Sequence, residues 1–192
     1  MTVDDKSLKN KITRLENELF EKQKEIIELK SQLKPQLVQN YMFLTVGEKE
    51  INLSEMFGNK SDLIVVHNMG VSCPYCTMWA DGFNGLLQHL ENRAGFAVVS
   101  PDAPDIQYEF AQERGWRFTM YSSVRSTFSN DFGFKNEDGW LPGVSTFHRN
   151  SDGAIFNVQN AYFGPGDLFC SVWHLFDLLD SGTEEWHPML NY

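Results

Sequence analysis

The apolar run Leu63-Ile64-Val65-Val66 leads shortly into Cys73-Pro74-Tyr75-Cys76, and these cysteines open an amphipathic stretch from Thr77 to Asn92. A buried strand feeding a helix across a short turn demands an α/β architecture, so this order constrains the chain more than any other feature. It also puts a thiol where a helix begins. Unpaired backbone N–H groups and the positive end of the macrodipole stabilise a thiolate there and lower its pKa. Cys73 is that thiol, the candidate nucleophile. Cys76 follows almost one turn later, placed to attack a mixed disulfide on Cys73 as the resolving thiol. Pro74 stiffens the turn, Tyr75 offers an aromatic face to a substrate, and Trp79 either supports the site or is core.

Upstream, Leu8, Ile12, Leu15, Leu19, Ile26, Leu29 and Leu33 alternate at spacings of four and three, with Lys22 interrupting the seam. That is a coiled-coil pattern. Two readings stay open: a helix whose stripe packs back on the domain, or self-association through residues 8–33. Pro35 ends the arm, which defines residues 1–34. Residues 35–180 then read as one domain, and 181–192 as a loosely packed tail.

Within the domain, Tyr41–Val46 and Ile51–Leu53 are strands around a Gly47–Glu50 turn, followed by a helical turn capped by Ser54. Leu63–His67 and Phe96–Val99 are buried strands, with helices over Thr77–Asn92 and Asp105–Arg114 and a third strand over Phe118–Tyr121. The β-α-β-α alternation predicts a right-handed crossover. Gly82 and Gly85 weaken or bend the first of these helices. Ser122–Trp140 reads as an ordered loop bordering the site. Val144–Arg149 and Ala154–Val158 flank Asn150-Ser151-Asp152-Gly153, a hairpin signal. Asp167–Asp180 closes the domain as a helix.

Charge narrows the function classes. The net charge is −10, and residues 1–34 hold eight Lys/Arg against seven Asp/Glu, so the acidic excess lies in the domain. An acidic surface repels phosphate backbones and gives nucleic acid no purchase. Met1–Lys11 has no apolar signal region and no run approaches a membrane span, so the expected compartment is the cytoplasm. Three cysteines are no secreted disulfide framework, and in a reducing compartment a Cys-x-x-Cys pair is catalytic or metal-binding.

The segment Cys73-Pro74-Tyr75-Cys76-Thr77-Met78-Trp79-Ala80-Asp81-Gly82-Phe83-Asn84-Gly85 closely resembles a bacterial thioredoxin-like family catalogued as domain of unknown function eight-nine-nine. The likeness continues through Gly115-Trp116-Arg117-Phe118, Asn130-Asp131-Phe132-Gly133, Leu141-Pro142-Gly143-Val144-Ser145 and Val172-Trp173-His174-Leu175-Phe176-Asp177-Leu178-Leu179. It implies a thioredoxin-like fold of the peroxiredoxin-like branch, a central mixed sheet flanked by helices, here with an N-terminal helical arm. It also implies a dithiol-disulfide oxidoreductase; because the dithiol itself carries the two electrons, the expected reaction is exchange with a protein or small-molecule thiol or disulfide without a bound cofactor. By analogy Gly143, Val144 and Ser145 are substrate-facing backbone.

Departures from better understood relatives narrow the mechanism. Glutaredoxins share the Cys-Pro-Tyr-Cys tetrad but read glutathione through a Thr-Val-Pro segment that this chain lacks. Thioredoxins place a cis-proline just before the hairpin strand, whereas Pro142 stands slightly too early, leaving that assignment open. In the peroxiredoxin pattern Pro-x-x-x-Thr-x-x-Cys, counting back from Cys76 gives Met69 and Cys73, and from Cys73 gives Val66 and Gly70. Neither register fits.

Two alternatives stand beside the redox reading. A zinc or copper site would need Cys73 and Cys76 with Cys170 and His174, which share one face of a helix four residues apart. On the closing helix, however, Leu168, Phe169, Val172, Trp173, Leu175, Phe176 and Leu179 form an apolar arc that would turn Cys170 and His174 away from the core. The other alternative is a non-catalytic interaction protein assembled through its arm. His67 ends the strand that feeds the cysteines and could influence the thiolate but reads as a structural histidine, and Asp102, Asp105 and Glu109 read as helix caps.

Overall fold

Residues 4–192 are described by a computed structural model; Met1–Val3 of the predicted arm lie outside the described residues. Helix α1 spans Asp5–Ser31, begun by Asp4, whose carboxylate accepts from the Lys6 N–H, and closed at Gln32 with Lys30 in the last turn. The charges match the macrodipole at both ends. It forms one unit, Met1–Pro35, and Gln36–Tyr192 forms the other.

The second unit opens with strands β1 (Gln36–Val38), β2 (Met42–Thr45) and β3 (Lys49–Asn52), then the short helix α2 (Leu53–Met56). The turn into β3 takes positive φ at Gly47 and Glu48. Ser54 is inside α2 rather than its cap. The cap is Asn52, because the Glu55 carboxylate can reach back to its backbone N–H at 2.8 Å. Next come β4 (Asp62–His67), α3 (Pro74–Arg93), β5 (Gly95–Ser100), α4 (Pro104–Arg114) and β6 (Met120–Ser122). β4, β5 and β6 are parallel neighbours. Helix α3 runs unbroken through Gly82 and Gly85.

The region expected as loop contains α5 (Phe128–Asp131) and a two-stranded ribbon, β7 (Lys135–Asn136) with β8 (Gly139–Trp140). The hairpin β9 (Gly143–Arg149) and β10 (Ile155–Tyr162) turns at the expected Asn150–Gly153 and continues four residues beyond Val158 across a bulge at Asn157/Gln159. The sheet order is β1-β10-β9-β4-β5-β6-β2-β3.

β4 is central, and its side chains alternate between two cores, as a pleat requires. Leu63 and Val65 join Phe43, Phe57, Phe128 and Phe147 on one face. Val66 joins Trp79, Leu87, Phe96 and Trp173 on the other, beneath α3 and α4. Burial on both faces explains the unbroken apolar run.

The closing helix departs most from expectation. Only Ser171–Phe176, helix α6, is helical. Asp167 turns the chain before it, its carboxylate accepting from the backbone N–H groups of Phe169 and Cys170 at 2.8 and 3.1 Å. A helical projection begun at Asp167 therefore misplaces Cys170 and the three leucines of the expected arc, whereas Trp173 is core and His174 is exposed as expected. Cys170 and Trp173 are buried, while Leu168, Leu175 and Leu179 are exposed. The tail is anchored as well. Trp186 packs edge-on against Trp173 and Phe176, and Arg114 donates to the Leu190 carbonyl at 2.8 Å.

Candidate active site

Cys73 is the N-cap of α3 and Pro74 its first residue, a position where a missing N–H costs nothing. The Cys73 sulfur accepts from the Cys76 backbone N–H at 3.1 Å. The two thiols then divide. The Cys76 thiol and the N–H groups of Cys76 and Tyr75 hold half-buried Cys73 down to about 7, against the opposing effect of burial. Cys76 is 3% exposed, and its bond to Cys73 together with burial pushes its pKa up steeply, only partly countered by the Met69 N–H at 3.4 Å. At neutral pH the outer thiol is substantially ionised and the inner one is protonated.

The turn before Cys73 is braced from a distance. Gly70 has φ +119° and faces the Asp102 carboxylate, which accepts from the Val71 N–H at 3.0 Å and the Ser100 hydroxyl at 2.9 Å. Asp102 is thus a buttress for the cysteine loop and not a helix cap; α4 has Ala103 at its cap, without a side-chain bond. Replacing Asp102 by alanine is expected to cost about 1–3 kcal/mol of stability and to raise the pH midpoint of Cys73 alkylation. Asp105→Ala, which touches no residue of that loop, should leave the midpoint in place.

Tyr75 lies half-buried near Trp79 and Trp173, and its hydroxyl shares a 2.7 Å hydrogen bond with His187 Nδ1. Trp79 is core, 3% exposed. Tyr75 and His187 stand 112 positions apart, and only the docking of the tail brings them together.

Of the residues expected to face a substrate, Gly143 and Ser145 are buried, and Val144 is half-buried against the α3-side core. All three pair with β4 on one side and β10 on the other, so their backbone belongs to the sheet interior. Pro142 precedes the strand, and no peptide bond among the described residues is cis. The Ser145 hydroxyl bonds His67 Nε2 at 2.9 Å. His67 is 2% exposed, stacked on Phe134 at 3.8 Å and Phe128 at 5.1 Å, and burial lowers its pKa to about 3.

A folded-state pKa below the unfolded value of 6.5 means that the unfolded chain binds the extra proton. Stability is therefore full above pH 6.5 and falls as pH drops toward 3, by up to about 1.4 kcal/mol per unit from this group. Urea midpoints measured from pH 7 to 5 should decline accordingly. The His67 ring resonances should not titrate over that range.

The metal constellation is not assembled. Cys170 faces the core and is raised by burial, His174 Nε2 approaches the Asp167 carbonyl at 3.1 Å, and no three His, Cys, Asp or Glu side chains among the described residues gather to hold an ion.

The model of a family of bacterial proteins of unknown function, DUF899, matches residues 6–192. The chain belongs to this family. No match is found among curated proteins. Solved structures share the fold at low identity. A peroxiredoxin-like protein from Aquifex aeolicus is 18% identical, over 68% of this chain and 76% of that one, with a TM-score of 0.52. Peroxidoxin BcpB from Mycobacterium tuberculosis is 20% identical over 67% and 84%, with a TM-score of 0.54. Reduced Prx3 from Vibrio vulnificus, in complex with H2O2, is 12% identical over 71% and 91%, with a TM-score of 0.56. The domain is thus a thioredoxin-like fold of the peroxiredoxin-like kind.

Family-like segments now have physical roles in this DUF899 member. Asp81 accepts from Trp116 Nε1 at 2.7 Å and pairs with Arg114. Asn84 accepts from the Arg117 N–H at 2.9 Å and donates to the Gly115 carbonyl at 3.2 Å. Together they pin α3, and with it the cysteines, to the end of α4. Asp131 accepts from the Tyr41 and Thr127 hydroxyls at 3.0 and 2.7 Å, fixing the segment that carries Phe128 and Phe134 over His67.

Proposed function

We propose that the chain is a thiol-disulfide oxidoreductase working through Cys73 and Cys76. The observation that carries this reading is the division of labour between the thiols: a half-buried sulfur lowered to about 7 at a helix N-terminus, and a buried, protonated one a turn behind. The Cys73 thiolate attacks one sulfur of a protein or small-molecule disulfide, forming a mixed disulfide and expelling the other sulfur as a thiolate. Cys76 then loses its proton to solvent or the departing thiolate and attacks the Cys73 sulfur. A Cys73–Cys76 disulfide forms and the second substrate thiol leaves. Two electrons have moved from the dithiol to the substrate, and an external dithiol resets the pair. The electrons reside in the cysteines, so no organic cofactor enters.

Alkylation mass spectrometry of the full chain across graded thiol redox buffers tests the reading. Cys73 and Cys76 should become protected together and reversibly, while Cys170 follows no such transition. Protection of neither cysteine across the series would rule the mechanism out. Protection lost only on treatment with a chelator would point to metal binding in its place.

A further inference from the structure

Helix α1 buries none of its residues yet carries an apolar seam broken at Lys22. In heptad terms Ile12, Leu19 and Ile26 occupy the a positions, and Leu8, Leu15, Lys22 and Leu29 the d positions. The apolar members are 46% to 60% exposed. We propose that this seam joins two copies of the chain as a parallel, two-stranded coiled coil.

Three features select that partner and that direction. Isoleucine at two of the three a positions between Leu8 and Leu29, with leucine at d, is the combination that favours two strands. The flanking g and e positions, which meet across a parallel pair, set Lys11 of one copy against Glu16 of the other and Glu25 against Lys30, with Glu18 against neutral Gln23. An antiparallel pair would set Lys9 against Lys30 and Glu18 against Glu25, two like-charge contacts. The third feature is the interruption. A parallel register brings Lys22 beside its counterpart, but Lys22 Nζ is held by Glu25 of its own helix at 2.6 Å. That ion pair draws the ammonium to the rim and compensates it, and a single polar layer fixes register at some cost in stability. Phe20 and Ile27 lie outside the seam at b positions, and Lys24 Nζ covers the Phe20 ring at 4.4 Å.

Sedimentation equilibrium of the full chain should return twice 22.1 kDa. Leu15→Glu with Leu19→Glu should return a monomer that keeps the unfolding transition of the remaining domain. Lys11→Glu should weaken the dimer about tenfold, and adding Glu16→Lys should restore it. With all three native cysteines changed to serine, Leu8→Cys should cross-link under mild oxidation, because a parallel pair sets this position against itself. The proposal is overturned by a monomeric or trimeric wild type. It is overturned equally by a dimer that survives Leu15→Glu with Leu19→Glu, or by cross-linking only when Leu8→Cys is combined with Leu33→Cys.

Discussion

Cys73→Ser is expected to abolish disulfide exchange, a loss of at least about a thousandfold, because the thiolate is the only group that can open the substrate disulfide. Cys76→Ser should leave that first step intact and halt the reaction at a mixed disulfide, trapped on Cys73 and visible by mass. The two variants thus fail differently, which a merely structural role for the pair would not produce. The rate of Cys73 alkylation should follow its thiolate fraction, rising through a midpoint near pH 7 and levelling above it, with Cys76 silent while the protein is folded. Because the folded value is depressed below the ordinary 9.0, this group adds stability above pH 9 and loses it as pH falls through about 7. Cys73→Ser should remove that dependence. Activity that survives Cys73→Ser would end the oxidoreductase reading.

Gly143→Ala is expected to destabilise the fold by about 3 kcal/mol, at the upper end of what overpacking costs. A Cβ at this position would run into the Phe134 ring and the Ala161 carbonyl oxygen. The carbonyl belongs to β10, paired with β9 through Tyr162 and Gly143, so it cannot withdraw without breaking the ladder. Phe134 has little freedom either, since its ring stacks on His67 at 3.8 Å and is fully buried. The strain thus falls on the shell around β4, the strand that leads to the cysteines. Chemical denaturation should show a lower midpoint with unchanged slope, and Gly82→Ala, in open space on α3, should be neutral or slightly stabilising. An unchanged midpoint for Gly143→Ala would mean that the strand end is far more yielding than its packing implies.

The order β4, cysteine turn, α3, β5, α4 was legible in the chain because each step rests on periodicity and on contacts within a few residues. The hairpin turn was legible for the same reason, since Asn150 and Gly153 satisfy it locally: Asn150 Oδ1 accepts from Asp152 and Ala154, and Gly153 takes φ +85°. Local pattern misled where a polar side chain competed with helix formation. Asp167 captured two backbone N–H groups, ended the expected helix before it began and turned Cys170 inward. It misled again at α2, where Ser54 and Asn52 are both good caps and only the reach of Glu55 chose between them.

What the sequence by itself determined is the class of fold and the placing of Cys73 at a helix N-terminus, since strand content, proline and helical period act over one turn or one strand. What only the tertiary structure decided is which distant residues meet the cysteine loop, the strand before it and the helix after it. Asp102 braces Val71 across 31 residues, Ser145 meets His67 across 78, and His187 reaches Tyr75 across 112. No local preference encodes such pairs. They exist because two parallel crossovers, a hairpin inserted beside β4 and an anchored tail bring distant segments together, where partial or full burial favours polar groups that meet a partner.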